Sequence, residues 1–206
     1  MQKQENVWND LYKKGLKWRK ETIKLDKGIK GKFVLELGVG NGKTLQTIII
    51  QNPKKVLAID ISKEAINLAK KEVKSKIVTF LRKDFLKFNT KDRFDIIICY
   101  YFLNNFKQKQ RKVAIEKMKS MLEDKGIILF EDFMVRDYRQ KGKEIEPNTI
   151  QKSNGIVCHF FTKNEIRGLF KGFDIKIKER TFNPIRTDNS IRRKIINVAI
   201  YAPDRI

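Results

Sequence analysis

The sequence has few of the residues that mark secreted, membrane-bound or metal-binding proteins. Its 206 residues include two cysteines, Cys99 and Cys158, and one histidine, too few for a disulfide framework or a metal-ligand cluster. No apolar run approaches the roughly 18 residues of a membrane-spanning helix. The first residues, MQKQENVWNDLYKK, lack the apolar core of a secretory signal. We therefore expect a cytoplasmic protein with no membrane partner and no metal.

Acidic residues are also scarce relative to basic ones. The chain has 24 Asp and Glu against 46 Lys and Arg, which gives a net charge of +22. An excess of this size is expected of a protein that contacts nucleic-acid phosphates. A general preference for lysine in the composition would produce the same number, so both explanations stay open. Hydrophobic residues make up 41% of the chain, enough to bury the core of one domain over residues 1–206.

Short apolar strands alternate with amphipathic helices from residue 33 onward. The predicted strands are KFVLEL, KVLAID, KIVTFLRKD, FDIIICY and GIILFEDF, and FDIKIKERTF and KIINVAIYA follow as alternating, antiparallel strands. The intervening helical segments are GKTLQTIIIQN, KEAINLAKKEV and KQKQRKVAIEKMKSML. We predict an α/β fold with a Rossmann-like, doubly wound, mostly parallel sheet and an antiparallel C-terminal hairpin. Residues 1–32 would form an N-terminal helical lid, and the polar, basic and irregular residues 134–160 an insertion on the substrate side.

The stretch LELGVGNGKTLQT, between the first strand and its helix, is compatible at first sight with three kinds of nucleotide site. A phosphate-binding P-loop needs a glycine five residues before Gly42, where this chain has Leu37. A dinucleotide fingerprint starting at Gly38 and Gly40 would need its third glycine at Lys43. Neither register fits, so the alternate glycines point to a third kind of ligand.

Three acidic residues lie at the ends of three successive predicted strands. Glu36 precedes the glycines, Asp60 ends the second strand, and Asp84 ends the third, beside Phe85, which could flank an adenine. Three carboxylates would repel a polyphosphate. They suit a nucleoside with a zwitterionic 5′ substituent, and a carboxylate at Asp60 can accept hydrogen bonds from both ribose hydroxyls.

The segment from Val34 to about Leu129 resembles the class I S-adenosylmethionine-dependent methyltransferases in motif order and spacing. The resemblance implies that the glycine loop holds the methionine part of the cofactor, that Asp60 holds the ribose and that Asp84 meets the adenine amine. The strand end at Cys99 would pass beside the cofactor. The implied cofactor-binding residues also include two aromatic residues of the N-terminal segment. The others are Glu36, Gly38, Gly40, Gly42, Asp60, Ile61, Asp84, Phe85 and Cys99.

The outer segments resemble two different branches of these enzymes. VWNDLYKKG is similar to the segment before the sheet in tRNA 3-methylcytidine methyltransferases, where both aromatics, here Trp8 and Tyr12, contact the cofactor. VRDY and GIVCHFFTKNEIRGLF are similar to blocks of the same family. RTDNSIRRKIINVAIYA instead resembles small methyltransferases of the tellurite-resistance type. Trp18 is a third aromatic candidate for the N-terminal lid.

The expected activity is in-line methyl transfer from S-adenosylmethionine to RNA, with tRNA as the first candidate. A small-molecule methyltransferase and a non-catalytic, basic RNA-binding protein are the alternatives, and a small activator subunit cannot be recognised from the sequence. The Asp/Asn-Pro-Pro-aromatic signature of exocyclic-amine methylases is absent. The basic residues Arg136, Arg139, Lys141, Lys143 and Lys152 are candidates for tracking a phosphate backbone.

The catalytic residues are not assigned by the sequence. By the strand-end rule for ligand binding, the candidates for the substrate mouth are Tyr100, Tyr101, Asn104, Asn105, Glu131 and Asp132. Relatives of the small-molecule type carry a His-His pair where this chain has Asn104 and Asn105. His159 is a candidate general base, and a packed histidine is the alternative. Cys99 is expected to be an inert buried thiol.

Overall fold

The computed structural model of the chain describes residues 2–16, 28–184 and 191–203. Trp18, one of the lid candidates, and the RTDNS part of the C-terminal resemblance lie outside these residues. The fold divides into two units, which are treated separately below. One contains Met1–Ile98 and Met121–Glu123, and the other contains Cys99–Ser120 and Asp124–Ile206.

Helices and strands alternate through most of the chain. The helices are α1 (Gln2–Lys13), α2 (Lys43–Ile49), α3 (Lys63–Glu72), α4 (Gln108–Met121) and α5 (Lys163–Leu169). The strands are β1 (Phe33–Leu37), β2 (Lys55–Asp60), β3 (Val78–Arg82), β4 (Phe94–Tyr100), β5 (Leu122–Phe133), β6 (Lys143–Glu146), β7 (Thr149–Gln151), β8 (Val157–His159), β9 (Asp174–Phe182) and β10 (Arg193–Tyr201). Two short 3₁₀ helices span Phe85–Lys87 and Leu103–Asn105.

Seven of the strands form one sheet in the order β3-β2-β1-β4-β5-β10-β9. β1 pairs in parallel with β2, and β2 with β3. β10 runs antiparallel to both β5 and β9. The predicted doubly wound, mostly parallel sheet with an antiparallel C-terminal hairpin is therefore confirmed.

The first unit is built on the two central parallel strands and the helix that covers them. Val34 and Leu35 of β1 are fully buried, as is Ala58 of β2, which is the burial expected of parallel strands. The Ser62 hydroxyl accepts a hydrogen bond from the Ala65 amide at 3.1 Å and caps α3, as the sequence predicts.

The second unit contains more regular structure than the sequence indicates. β6, β7 and β8 form a three-stranded antiparallel sheet within the segment 134–160, so the expectation that this segment is irregular is wrong. Ile150, Cys158 and Phe160 form its small buried core. These strands have three or four residues each, too short for the alternation of polar and apolar residues to stand out.

A helix that crosses a bilayer must be both long and apolar. Within residues 2–16, 28–184 and 191–203, no helix has both the length and the apolar content to cross a membrane.

Candidate active site

Three glycines with left-handed backbone conformations form the turn between β1 and α2. Gly38, Gly40 and Gly42 have φ angles of 71°, 55° and 78°, values that residues with a side chain adopt rarely. The amides of Gly38 and Val39 both donate to the carbonyl of Ile59, at 2.8 and 3.1 Å. These bonds fix the loop to the end of β2.

Gly42 is required for packing as well as for backbone conformation. A Cβ atom at this position would lie 3.2 Å from the Cα of Ala69 in α3, which is tighter than ordinary van der Waals contact. Glycine therefore allows the start of α2 to lie close against α3.

Asp60 connects the glycine loop to the start of α3. Its Oδ2 accepts a hydrogen bond from the Gly40 amide at 3.0 Å, and its Oδ1 accepts one from the Ser62 amide at 2.9 Å. Burial raises the pKa of the Asp60 carboxyl to about 6, although these backbone amides oppose the rise. The carboxyl group therefore changes protonation state near neutral pH.

Glu36 and Asp84 each carry a buried oxygen that has no hydrogen-bond partner. The side chain of Glu36 is buried, and its Oε2 is unpartnered. Burial, and then the charge of Asp60, hold the pKa of the Glu36 carboxyl well above its ordinary value. Oδ1 of Asp84 caps the following 3₁₀ helix by accepting from the Leu86 amide at 3.0 Å, while its Oδ2 is unpartnered.

The acidic residues at the ends of β1, β2 and β3 fit the cofactor that the resemblance implies. Buried acceptors without partners are costly unless a donor completes them. The ribose hydroxyls and the amino groups of S-adenosylmethionine are such donors, whereas a polyphosphate offers none and would be repelled. The unpartnered oxygens of Glu36 and Asp84 are thus the observation that supports the fit.

Helix α1 holds its two aromatic residues against the first unit. The side-chain oxygen of Asn9 accepts a hydrogen bond from the Ser62 hydroxyl at 2.7 Å, which ties α1 to the cap of α3. Tyr12 is buried and Trp8 is half-buried, with ring centroids 6.2 Å apart. The hydrogen bond between Asn9 and Ser62 therefore fixes the position of the helix that carries both aromatic residues.

The remaining predicted cofactor residues are mainly apolar. Ile61 is half-buried directly after Asp60, and Phe85 is buried, with its ring centroid 6.5 Å from that of Phe88. Cys99 is fully buried, and burial is the main cause that raises the pKa of its thiol well above the ordinary value. The thiol is therefore protonated at neutral pH and is not a nucleophile.

In the second unit, the end of β4 has an unusual backbone at Tyr101. Its φ angle is 50°, a strained value for an aromatic residue. The Tyr101 amide donates to the Glu131 carbonyl at 2.7 Å. Burial, and then the Glu131 carboxylate, raise the pKa of the Tyr101 phenol. Burial likewise raises the pKa of the neighbouring Tyr100, so both phenols are neutral at physiological pH.

Asn104 and Asp132 form a buried polar pair in the same unit. The Asn104 amide N–H donates to Oδ2 of Asp132 at 3.1 Å, and the side-chain Oδ1 of Asn104 is buried without a partner. Asp132 is fully buried, and burial is the main cause that raises its carboxyl pKa. Asn105 instead caps the turn by donating to the Tyr101 carbonyl at 3.0 Å. Asn104 therefore has an acceptor to offer, and Asn105 has a structural role.

His159 is engaged through both ring nitrogens. Its Nδ1 lies 2.8 Å from the Thr149 hydroxyl, and its Nε2 lies 2.9 Å from the Glu165 carboxylate. The residue is 1% exposed, and its ring lies edge-on to Phe161 at 4.5 Å. The packed alternative is therefore the one supported, because no ring nitrogen remains for a substrate.

Arg111 is an important residue that the sequence analysis missed. Its side chain is 3% exposed, it donates to the Phe106 carbonyl at 2.8 Å, and its guanidinium lies 3.6 Å from Glu165. In the lysine-rich α4 it looks like a surface residue. Its spacing of four from the buried Ile115 and seven from the buried Met118 was the available signal, since these positions share one helix face.

The predicted basic residues of the segment 134–160 differ in their exposure. Arg136, Lys141 and Lys143 are exposed, and Lys152 is half-buried. Arg139 lies over the Phe133 ring, with its guanidinium carbon 4.8 Å from the centroid. Among the residues with described positions, no three His, Cys, Asp or Glu side chains are grouped to hold a metal ion.

Comparison with known proteins gives a family for most of the chain. A family profile described as "Methyltransferase domain" matches residues 29–174. In the solved structures, the fold is similar to the N-methyltransferase NodS from Bradyrhizobium japonicum WM9, crystallised with S-adenosyl-L-homocysteine. The TM-score is 0.63 at 17% identity, covering 85% of this chain and 80% of that one.

Two curated relatives match at higher sequence identity. The chain is 26% identical over 170 residues to the tRNA N(3)-methylcytidine methyltransferase trm140 of Schizosaccharomyces pombe, covering 75% of this chain. It is 28% identical over 134 residues to an uncharacterized methyltransferase of Bacillus mycoides, covering 63% of this chain. The matched parts cover 55% and 62% of the lengths of these two relatives.

Proposed function

This chain belongs to the methyltransferase-domain family and is a class I S-adenosylmethionine-dependent methyltransferase, and from this premise we propose that it methylates RNA, with tRNA as the first acceptor. The observation that carries the choice of acceptor is the similarity to a tRNA methyltransferase in a chain with a net charge of +22. Phosphate contacts dominate protein–RNA affinity, and basic side chains supply them.

The first unit supplies the proposed cofactor site. The glycine loop of Gly38, Gly40 and Gly42 would take the methionine part, with Glu36 accepting from its amino group. Asp60 would accept from the ribose hydroxyls, in addition to the backbone amides that already bind its carboxylate. Asp84 would accept from the adenine amine. Trp8, Tyr12, Ile61 and Phe85 complete the proposed set in this unit, and Cys99, which the resemblance also implies, belongs to the second unit.

Bound S-adenosylmethionine would supply an electrophilic methyl group for in-line transfer to a correctly placed acceptor atom, with S-adenosylhomocysteine as the leaving group. The protein then has to hold the acceptor and exclude water. Asn104 offers a buried carbonyl oxygen without a partner, suited to an acceptor that carries an N–H group. Tyr101 offers a neutral phenol beside Glu131. We assign both a positioning role toward the acceptor.

A methyl-transfer assay tests the proposed acceptor. The chain is incubated with tritiated S-adenosylmethionine and either unmodified tRNA or a mixture of small amine and thiol acceptors. The tRNA is then digested, and its nucleosides are analysed by mass spectrometry. We expect label in tRNA, and 3-methylcytidine is the first product to look for, given the name of the relative.

The control for this assay is Glu36→Gln, which keeps the size of the side chain and removes its charge. Transfer to tRNA by the wild type and little or no transfer by the variant would support the proposal. Transfer to small acceptors alone would overturn the RNA assignment and leave the methyltransferase family unaffected.

A further inference from the structure

The edge strand β9 of the C-terminal hairpin exposes a row of basic side chains, while the β10 side chains on the same face are buried or half-buried. Directly paired residues of antiparallel strands share a face. Arg180 pairs with Ile195, Lys178 with Asn197, and Lys176 with Ala199, so the three cations point to one side of the sheet. All three are exposed, and alternate residues of a strand are about 6.8 Å apart. This spacing is comparable to that between successive phosphates of one nucleic-acid strand.

On the same face, guanidinium groups alternate with aromatic rings. We call this row the arginine–aromatic ladder; its members are Arg180, Phe182, Arg193, Phe133 and Arg139. The guanidinium carbons of Arg180 and Arg193 both lie 5.5 Å from the Phe182 ring centroid. Arg193 lies 6.0 Å and Arg139 lies 4.8 Å from the Phe133 centroid. The ladder therefore runs from the edge strand β9 to the carboxyl end of β5.

The ladder reaches one of the positions proposed to hold the acceptor. The guanidinium carbon of Arg193 lies 5.9 Å from the Tyr101 ring centroid, and the Tyr101 and Phe133 centroids are 5.1 Å apart. Tyr101 ends β4. A strand bound along the ladder would thus lead toward Tyr101.

Cations outnumber acids on this face, where the acids are Asp174 at the start of β9 and Glu131 of β5. The Nε of Arg193 and the Nδ2 of Asn197 are buried and have no hydrogen-bond partner. The acid of β9 that lies between the basic residues, Glu179, pairs with Ile196 on the opposite face and forms an ion pair with Lys163 at 2.7 Å. A surface rich in donors and cations is suited to a partner with many acceptors and negative charge.

Lysines on an edge strand can also have a purely protective role, because they discourage pairing with another chain. That role accounts for Lys176 and Lys178. It does not account for alternating guanidinium groups and rings that continue inward across β10 and β5, or for the unpartnered donor of Arg193. Base stacking on aromatic and guanidinium planes, with cations on the backbone, is how single-stranded RNA is bound.

We propose that the exposed cations of β9, Lys176, Lys178 and Arg180, together with the mostly half-buried arginine–aromatic ladder that leads inward, bind a single-stranded segment of the RNA acceptor and guide it toward Tyr101. This inference rests on the proposed RNA methyltransferase function and adds the surface that holds the substrate. The cations at the edge bind phosphates, and the rings and guanidinium planes of the ladder receive bases.

The test compares two triple variants of the full chain. One is Lys176→Gln, Lys178→Gln and Arg180→Gln. The control is Lys70→Gln, Lys71→Gln and Lys74→Gln, which removes three exposed lysines at the end of α3. Binding to a fluorescent unmodified tRNA and to fluorescent polyglutamate is measured by anisotropy at several salt concentrations. A thermal shift with S-adenosylhomocysteine checks that each variant is folded.

We expect the affinity of the hairpin variant for tRNA to be about tenfold or more weaker. The slope of its log affinity against log salt concentration should be shallower by roughly 2–3, because about three phosphate contacts are lost. The control should change affinity by less than about threefold. Equal binding by the hairpin variant and wild type would overturn the inference, even if wild type methylates tRNA. Loss of polyglutamate binding alone would also overturn it, in favour of an acidic protein partner. If the wild type binds tRNA through the hairpin but does not methylate it, this result would instead contradict the proposed function.

Discussion

At the scale of single residues, the proposed cofactor site consists of acids whose protonation is shifted by burial. Burial raises the pKa of Asp60 to about 6 and that of Glu36 well above its ordinary range. A cofactor hydroxyl or ammonium group favours the ionised form of such a carboxyl. Binding of the cofactor should therefore be linked to release of protons.

The first prediction is a pH dependence of cofactor affinity. Asp60 is largely protonated below pH 6 in the free protein, and the proposed ribose contact favours the carboxylate. Affinity for S-adenosylhomocysteine should therefore rise with pH, by up to about tenfold per pH unit below 6, and level off above it. Calorimetry between pH 5 and 8 measures this. Asp60→Asn should release one proton fewer on binding, whereas Asp92→Asn, at an exposed position, should behave as wild type. The same pH dependence of affinity in both variants would contradict the account.

The same shift has a consequence for stability without ligand. The pKa of Asp60 in the folded state lies above its ordinary value of 3.8, so ionisation is less favourable in the folded than in the unfolded chain. Its contribution to stability should be greatest below pH 4 and be lost as the pH rises to about 6. The loss is about 3 kcal/mol for this group alone. In urea titrations over the same pH range, the free energy of unfolding of Asp60→Asn should not show this loss.

Gly42 gives a second prediction at this scale. Gly42→Ala would combine a left-handed backbone with a Cβ atom 3.2 Å from the Cα of Ala69. We expect a loss of about 1–3 kcal/mol in the free energy of unfolding, measured by urea denaturation. The control is Gly168→Ala in α5, where a Cβ atom meets nothing within 4 Å. It should gain roughly 0.5–1 kcal/mol because alanine favours a helix. Similar results for both variants would show that Gly42 has no special role.

At the scale of secondary-structure elements, buried polar side chains fasten α5 to the three-stranded sheet. His159 of β8 connects Thr149 of β7 to Glu165 of α5, and Glu165 also faces Arg111 of α4. The consecutive elements β7, β8 and α5, and the more distant α4, are therefore linked by one histidine and one carboxylate. Removing a member leaves a buried polar group unsatisfied.

We predict that His159→Gln affects stability rather than chemistry. The variant should lose about 1–3 kcal/mol of stability, and Thr149→Val should show a loss of similar size because it removes the partner of Nδ1. At a temperature where both variants are folded, the pH profile of methyl transfer should match that of wild type. Disappearance of an ionisation from the profile in His159→Gln alone, at unchanged stability, would restore the histidine as a general base.

The elements that the sequence predicted well are those with strong local signals. The parallel strands are apolar runs, and α3 and α5 begin after Ser62 and Thr162, residue types that are favoured at helix N-caps. The partners of His159 depend on how β7, β8 and α5 pack together, and the contact of Arg111 with Glu165 joins segments far apart in the chain. Local patterns carry no information on such contacts, and the strands of the segment 134–160 are too short to produce a pattern.

At the scale of the whole molecule, composition alone did not separate RNA binding from a general excess of lysine. The proposed RNA-binding surface rests instead on an arrangement of residues, because three cations of β9 share one face and adjoin alternating rings and guanidinium groups, while Glu179 lies on the other face. The family match identifies the enzyme class over residues 29–174. The acceptor depends on surfaces that vary within one fold.

The most direct test of the whole account is calorimetric titration of the chain with S-adenosylhomocysteine at pH 7.5. We predict binding of one molecule per chain, weakened by about tenfold or more in Glu36→Gln, because a hydrogen bond to a charged group contributes roughly 1.5–3 kcal/mol. The exposed Glu116→Gln should bind as wild type. Absence of binding by the wild type, or equal affinity in Glu36→Gln, would contradict the assignment of the acids at the ends of β1, β2 and β3 to the cofactor.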